Sequence, residues 1–439
     1  MADIAPLWPL RYDASLLAQV TAPPYDVIDA KMREELGRRH PHNVVHIDLP
    51  EGDGDKKYER AQGLFTEWQE MGVLVRDEAP AYWRYAQTFV PPGGGQSITR
   101  KGFFALVRAV PFSDRVVLPH ERTLKGPKLD RIMLSRATRA ALSPQFMLYS
   151  DPERSLDALL DGGEPFAKFT TPDGIKHEIW RVTDTASIAK ITDAMQSRTL
   201  LIADGHHRYE TSVAISEEFE AEAKERGIPT SPRSEHRFTF ALLANGDDPD
   251  LVVFPTHRLI HSLPRFDWST LLTEAAQLFD VTSLPNGSSA DTAALKSLLS
   301  SQSRQALVAV GQHGQAALLV LRSDADLSKH PVLGKRPEVL RATAVALLHD
   351  GLIEHVLGVS PEAQAQKTNI KYLQDPTVGV EALARGEGQV LFMMNGTPVS
   401  TVRQVAEASE VMPQKSTFFY PKVPTGLCFH TLYPDRLIP

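Results

Sequence analysis

The chain has 439 residues, a formal net charge of −7 and a hydrophobic fraction of 42%, which together are typical of a globular protein with two or three packed units. The acidic balance disfavours a dedicated DNA- or RNA-binding protein, because such proteins need basic groups that neutralise phosphates. No run of about 18 apolar residues predicts a membrane span. The single cysteine, Cys428, excludes an internal disulfide; with an N-terminus that lacks the features of a secretory signal, it predicts a cytoplasmic location.

The N-terminal third combines helical and strand-like segments. Residues 31–39 and 56–71 have the pattern of helices, and 43–47 form a short β-like run. The aromatic-rich segment 80–90 alternates as a strand does, and 102–107 continues a sheet after a Pro- and Gly-rich loop. We therefore predict a hairpin with a wide connection between these two strands.

A strand, a tight turn and a helix are predicted in the middle of the chain. Residues 199–203 are apolar and typical of a buried strand, Asp204-Gly205 follows, and a helical pattern extends from about Tyr209 to Arg226. Further strand-like runs occupy 237–243 and 251–254, and helical and strand-like pieces alternate from about 265 to 380. The alternation predicts an α/β protein.

The turn between that strand and helix is the strongest candidate for chemistry. A helix N-terminus has unpaired N–H groups and a partial positive charge, which favour bound anions. Gly205 allows a phosphate to approach the backbone, and Arg208 has a guanidinium that suits phosphate oxygens. His206 and His207 are candidates for hydrogen bonding or proton transfer. Asp204 either holds Mg²⁺, orients a histidine or acts as a general base, whereas the structural alternative is an N-capping aspartate beside surface histidines.

Other polar residues lie at positions that would border a cleft. Asp26 follows Pro23-Pro24, which restrict the loop, so it is either a second catalytic acid or a turn residue that caps the following helix. Three further sets either contact substrate or belong to solvated loops. They are His120, Glu121 and Arg122, then His257 and Arg258 at a strand end, and finally Lys415.

Several enzyme signatures are missing. Lys415-Ser416-Thr417 lacks the upstream glycines of a P-loop. His257 and His261 have the spacing of a zinc protease but no adjacent glutamate, so a zinc hydrolase is disfavoured. No Gly-x-Ser-x-Gly elbow is present, which disfavours a serine hydrolase.

The chain resembles the DUF1015 family over nearly its whole length. The motifs that carry this resemblance occur in order along the sequence. They are Pro23-Pro24-Tyr25-Asp26-Val27-Ile28, Leu118-Pro119-His120-Glu121-Arg122-Thr123, Ile202-Ala203-Asp204-Gly205-His206-His207-Arg208-Tyr209-Glu210-Thr211, Pro255-Thr256-His257-Arg258 and Met412-Pro413-Gln414-Lys415-Ser416-Thr417.

A narrower resemblance suggests an activity. Asp204-Gly205-His206-His207-Arg208 is similar to the phosphate-binding motif of ParB/sulfiredoxin-like free serine kinases. The resemblance implies that Gly205, His206, His207 and Arg208 hold the phosphates of ADP or ATP, with Asp204 assisting at the transferred group and Mg²⁺ taking part. The upstream glutamate that serves these kinases as a base has no counterpart identified in this sequence.

From the pattern and the resemblance together, we expect a ParB/sulfiredoxin-like nucleotide-binding region over residues 1–260. An additional α/β region would occupy 261–439, with a tail that packs back on the core. The expected activity is a nucleotide-dependent small-molecule kinase that converts free L-serine to O-phosphoserine. The alternative is a regulatory protein that binds or hydrolyses nucleotide without a metabolite acceptor.

Overall fold

A computed structural model describes residues 1–92, 94–121, 125–160 and 162–439. Its strands, in chain order, are β1 (Ile4–Ala5), β2 (Leu10–Arg11), β3 (Val75–Arg76), β4 (Tyr82–Phe89), β5 (Ile98–Arg108), β6 (Val117–Leu118), β7 (Ala140–Ala141), β8 (Gln145–Tyr149), β9 (Ala167–Thr170), β10 (Lys176–Val182), β11 (Leu200–Asp204), β12 (Phe238–Asn245), β13 (Val253–Phe254), β14 (His257–Ile260), β15 (Phe279–Ser283), β16 (Ala306–Gly311), β17 (Ala316–Leu321), β18 (Ile370–Leu373), β19 (Val390–Met394), β20 (Phe418–Phe419) and β21 (His430–Thr431).

The α-helices are α1 (Leu17–Val20), α2 (Ala30–Arg39), α3 (Val45–Asp48), α4 (Lys56–Glu70), α5 (Lys125–Thr138), α6 (Asp157–Leu160), α7 (Thr185–Gln196), α8 (His206–Glu225), α9 (Trp268–Ala275), α10 (Thr292–Ser300), α11 (Glu338–Arg341), α12 (Ala344–Ala346), α13 (Pro361–Gln366), α14 (Pro376–Ala384) and α15 (Val399–Glu407). A π-helical segment, Leu347–Glu354, continues directly from α12. In these ranges no helix combines the length and apolar content that crossing a membrane requires.

Two large sheets and three two-stranded sheets are formed by the described residues. The larger has the strand order β6-β11-β8-β12-β5-β4-β10-β9, with β1 beside β5, and it is mixed because β6–β11 and β8–β12 pair in parallel. The smaller has the order β15-β17-β16-β19-β14-β18 and is antiparallel throughout. The predicted α/β class is therefore confirmed.

Each large sheet is buried on both faces. Successive side chains of a strand point to opposite faces, and on β5 Phe104 and Leu106 join one apolar cluster whereas Phe103 and Ala105 join another. Strand β16 alternates in the same way between the two clusters of the smaller sheet. In a strand that is buried on both faces, consecutive residues are apolar instead of alternating between apolar and polar. Residues 200–203 of β11 show this pattern.

The C-terminal tail packs back on earlier parts of the chain, where it forms two separate two-stranded sheets. Strand β20 pairs with β13, and β21 pairs with β7. Single bridges also join Leu10 to Phe429 and Ala22 to Thr425. The tail thereby brings residues after 410 close to the end of β11, where the candidate site lies.

Most of the predicted elements are present, with specific departures. Helices α2 and α4 and the β4–β5 hairpin match the sequence pattern. The predicted strand at 43–47 is wrong, because Asn43 accepts a hydrogen bond from the Val45 N–H at 3.0 Å and a short helix follows. Only Val253–Phe254 of the run 251–254 is a strand. The division at residue 260 and the ParB/sulfiredoxin-like character of the core stay predictions.

Candidate functional site

The candidate site is built around a sharp bend between β11 and α8. Gly205 has a φ of 94°, a left-handed conformation that glycine adopts without strain, and the Tyr209 N–H bonds its carbonyl at 2.9 Å. Helix α8 therefore begins at His206, three residues before the predicted start. Both histidines and Arg208 thus lie in its first turn, where backbone N–H groups lack partners within the helix. The strand is buried up to Ala203, so the bend presents Asp204 and the helix N-terminus together.

Asp204 lies between two cations. One carboxylate oxygen accepts a hydrogen bond from Arg208 and the other from Lys422. Burial opposes ionisation, but Lys422 and Arg208 outweigh it and hold the pKa of Asp204 below its usual range. An ionised carboxylate that both cations neutralise is a poor proton acceptor. In this arrangement Asp204 fixes the two cations and does not serve as a general base.

Lys422 is the site residue that the sequence pattern did not reveal. It lies 218 positions from Asp204, and no phosphate-binding motif surrounds it. Gln87 donates to the Lys422 carbonyl at 3.1 Å, and Arg100 donates to the carbonyl of Pro421 at 2.5 Å. Both residues are buried side chains of the β4–β5 hairpin. The hairpin therefore holds the tail where Lys422 reaches Asp204.

His120 and His206 pack against each other with ring centroids 4.7 Å apart. Burial lowers the pKa of His120 to about 4. Burial and the neighbouring His120 ring together lower the pKa of His206 well below its usual value. Because the Ile202 carbonyl can only accept, the His120 Nδ1–H donates to it at 2.7 Å, and Nε2 accepts from the Thr417 hydroxyl at 2.8 Å. His206 Nε2 accepts from the His120 backbone N–H at 3.3 Å. Both rings are neutral near pH 7 and act as hydrogen-bonding groups.

Two side chains hold the backbone of Lys415 in place. Its N–H donates to Glu121 at 3.0 Å, and its carbonyl accepts from Arg258 at 3.0 Å. Its φ of 59° is left-handed, which is uncommon for a residue with a side chain. Burial raises the pKa of Glu121, against the hydrogen bond from Lys415. The contacts fix a strained conformation, as is frequent at functional sites.

These residues surround one cavity of about 360 Å³, which we call the bend cavity. The predicted residues Asp26, Glu121, Asp204, Gly205, His206, His207, Arg208 and Lys415 all line it. Its other lining residues are Tyr25, Ala203, Gln414 and Thr417, which lie in the quoted family motifs, and Lys367 and Lys422, which lie in none of them.

Asp26 does not cap the following helix, since the Met32 N–H bonds the side chain of Asp29 instead. Asp26 lies in a 3-10 turn, Tyr25–Val27, and is exposed at the cavity. Within the described ranges no hydrogen bond or ion pair occupies its carboxylate, which leaves it able to accept a proton.

The remaining predicted residues lie away from the cavity lining or outside the described residues. His120 is buried behind it, in contact with His206 and Thr417. His257 and Arg258 belong to β14 and are buried, and neither lines the cavity. Arg258 acts instead through the Lys415 carbonyl. Arg122 lies outside the described residues.

The arrangement does not fit a resident magnesium ion. Mg²⁺ is usually bound by one or two carboxylates together with water and substrate phosphates. Both oxygens of Asp204 are already engaged by cations, and no group of three metal-ligating side chains occurs in the described part of the chain. The predicted magnesium role of Asp204 has no support in this geometry.

Solved structures with a distant likeness to this chain include a free serine kinase in complex with AMP, at 14% identity and a TM-score of 0.34, covering 74% of this chain and 92% of that one. A conserved hypothetical protein from Pyrococcus furiosus has 12% identity and a TM-score of 0.33, covering 74% and 95%. C-terminally truncated SbnI from Staphylococcus aureus has 10% identity and a TM-score of 0.33, covering 75% and 87%. Likenesses this distant assign no activity.

No curated protein sequence matches the chain. The family model described as "Protein of unknown function (DUF1015)" matches residues 4–343, which is more than three quarters of its length. The chain belongs to the DUF1015 family.

Proposed function

We propose that the protein is a nucleotide-dependent small-molecule kinase that transfers a phosphoryl group to the hydroxyl of free L-serine. The observation that carries the proposal is the lining of the bend cavity, where Arg208, Lys367, Lys415 and Lys422 surround the first turn of α8. Phosphoryl transfer requires mainly positioning and neutralisation of phosphate charge. A helix N-terminus and several cations supply both requirements.

The proposed reaction assigns a separate task to each group. The N–H groups of the first turn of α8 and the ammonium groups of Lys415 and Lys422 hold the phosphates of ADP or ATP. The acceptor oxygen forms a bond to the terminal phosphorus, while the bond from that phosphorus to the bridging oxygen breaks. The hydroxyl proton passes to the carboxylate of Asp26. L-serine as the acceptor rests on the resemblance of the motif 204–208 to free serine kinases.

Nucleotide binding is the first test. Isothermal titration calorimetry with ADP and with ATP, each supplied with and without magnesium, should give saturable binding. Mass spectrometry of a reaction with L-serine should then detect O-phosphoserine. Hydrolysis of the nucleotide without any phosphorylated serine would overturn the kinase proposal and favour the regulatory alternative. The absence of nucleotide binding would overturn both.

The role of Asp26 separates binding from chemistry. Asp26→Asn keeps the shape of the side chain but removes its ability to accept a proton, so the transfer rate should fall about 100-fold or more. The nucleotide dissociation constant should stay within about twofold, because this residue carries no positive charge for the phosphates. Asp29→Asn is the matched control, since asparagine also caps α2 at that position. An unchanged rate for Asp26→Asn would exclude it as the base.

A further inference from the structure

A second cavity of about 290 Å³, which we call the tail cavity, lies beyond Gln414. Its walls come from residues 335–340, from the π-helical segment, from 361–372 and from 410–414. Its volume is close to the lower end of the range for small-molecule sites. Gln414 lines both cavities, so the two are neighbours that share this one side chain.

The π-helical segment gives the tail cavity its charged wall. In a π-helix the bonded backbone groups are five residues apart, and such segments are rare and frequent at functional sites. His349, Asp350 and Glu354 all reach the cavity from this segment. Asp350 is buried and forms a two-point ion pair with Arg336, at 2.7 and 2.8 Å. That pair neutralises one carboxylate and leaves Glu354 beside it.

His349 and its neighbours are saturated. Its Nε2 accepts from Arg258 at 3.0 Å, and its Nδ1–H donates to Gln364 at 2.7 Å. The Gln364 amide nitrogen donates to the Val359 carbonyl at 2.9 Å. The ring nitrogens of His349 therefore both have partners within the protein, and neither is available to a ligand.

Other side chains around the tail cavity have polar ends without a hydrogen-bond partner among the described residues. In the described part of the chain, no side-chain hydrogen bond or ion pair engages the polar ends of Lys335, Glu354, Tyr372, Glu410 and Gln414. One carboxylate oxygen of Glu354 is buried without any hydrogen bond. A buried polar atom without a partner costs free energy. A bound cationic group would remove that cost.

We propose that the tail cavity binds a small molecule that carries both a protonated amine and a carboxylate, the chemistry of a free amino acid. The ammonium group pairs with Glu354, next to the neutralised Asp350, and Glu410 adds a second negative charge. The carboxylate pairs with Lys335. The hydroxyl of Tyr372 and the amide of Gln414 supply neutral hydrogen bonds. Burial raises the pKa of Glu354, and a bound cation would lower it again.

The structure also links this site to the bend cavity. Arg258 bonds His349 on one side and the Lys415 carbonyl on the other, and it is fully buried. The ligand of the tail cavity is either the phosphoryl acceptor or an effector that acts through Arg258 and Lys415. Both sources share the amino acid chemistry, and the proposal does not depend on nucleotide binding.

The test is calorimetric titration of the full chain with each of the 20 free L-amino acids, with ethanolamine and with lactate. At least one amino acid should bind. Glu354→Gln should weaken that binding about tenfold or more, because a charge-assisted hydrogen bond is lost. Glu274→Gln, at an exposed glutamate on α9, is the matched control and should change nothing. Tyr372→Phe keeps the ring that stacks on His349 and should weaken binding several-fold.

The two charges can be tested separately. Lys335→Met should weaken binding of the amino acid but leave binding of ethanolamine unchanged. Glu354→Gln should weaken binding of both. Binding of ADP should stay the same in both variants, so failure of this site is distinct from failure of the kinase proposal. If the bound amino acid becomes phosphorylated, it is the acceptor. If it stays unmodified, it is an effector. No binding of any amino acid, or binding that Glu354→Gln leaves intact, would overturn the proposal.

Discussion

Replacing Lys422 by methionine tests whether the tail supplies the charge that holds nucleotide phosphates. The side chains of Lys422 and Asp204 are 20% and 15% exposed, so their ion pair lies between a surface pair and a buried one. Surface pairs contribute about 0–1 kcal/mol, and breaking a buried pair costs about 3–5 kcal/mol. We expect the free energy of unfolding to fall by about 2 kcal/mol, measured by urea denaturation.

The effect of Lys422→Met on nucleotide binding is predicted independently. A hydrogen bond from an ammonium group to phosphate contributes about 1.5–3 kcal/mol, so the dissociation constant for ADP should rise about 10- to 100-fold in calorimetry. Lys176→Met is the control, because it makes the same change at an exposed lysine on β10. An ADP affinity within about twofold of the original protein would refute the assignment of Lys422 to the phosphates.

A double-mutant cycle with Asp204→Asn separates two roles of Lys422. If the ammonium contacts phosphate directly, Lys422→Met should weaken ADP binding in the Asp204→Asn background too. If it acts only by holding Asp204 in place, its effect should vanish there. The first outcome is the one we expect, since the first turn of α8 and Lys422 line the same cavity.

Gly205→Ala should weaken ADP binding and lower the free energy of unfolding more than Gly227→Ala does at the other end of α8. A Cβ at Gly205 would lie 3.0 Å from the Arg208 guanidinium, whereas a Cβ at Gly227 would meet nothing within 4 Å. Equal losses in calorimetry and urea denaturation would contradict this. Acid should unfold the protein near pH 5 in circular dichroism, and a native spectrum retained to pH 4 would contradict this. Burial holds the pKa of several histidines at about 3–4, so these histidines take up protons in the unfolded state below about pH 6.5 but stay neutral in the folded state. The folded state therefore loses about 2 kcal/mol of stability per histidine at pH 5, and the raised pKa of Glu121 offsets part of this loss. The histidines concerned are His120, His177, His257, His349 and His430.

The bend was predictable from sequence because its causes are local. An apolar run, a glycine and a helical pattern follow one another between 199 and 226, and each signal reflects neighbouring residues. The prediction placed the helix start at about Tyr209, after the two histidines and Arg208. In the structure they form the first turn of α8, and all three line the bend cavity.

Contacts between distant segments were not predictable from sequence. Lys422 and Lys367 carry no local signal, because their places depend on how the β4–β5 hairpin holds the tail and on the end of α13. Arg258 looks like a solvated or ligand-binding arginine at a strand end, yet it is buried and supports Lys415. The position of such a side chain is set by its contacts with a distant segment, and a single sequence does not show which segment that is.

The charges of the bend cavity make the proposed phosphate site depend on the C-terminal part of the chain. Of its lining residues, Asp26, Glu121 and Asp204 are acidic, and among those before residue 343 only Arg208 is basic apart from the histidines. With His206 neutral, that portion would repel phosphates. Three lysines at 367, 415 and 422 reverse the balance, and all three lie beyond the region 4–343 that the family model matches. In the proposed site the first turn of α8 therefore supplies the backbone N–H groups, and the residues after 343 supply most of the positive charge.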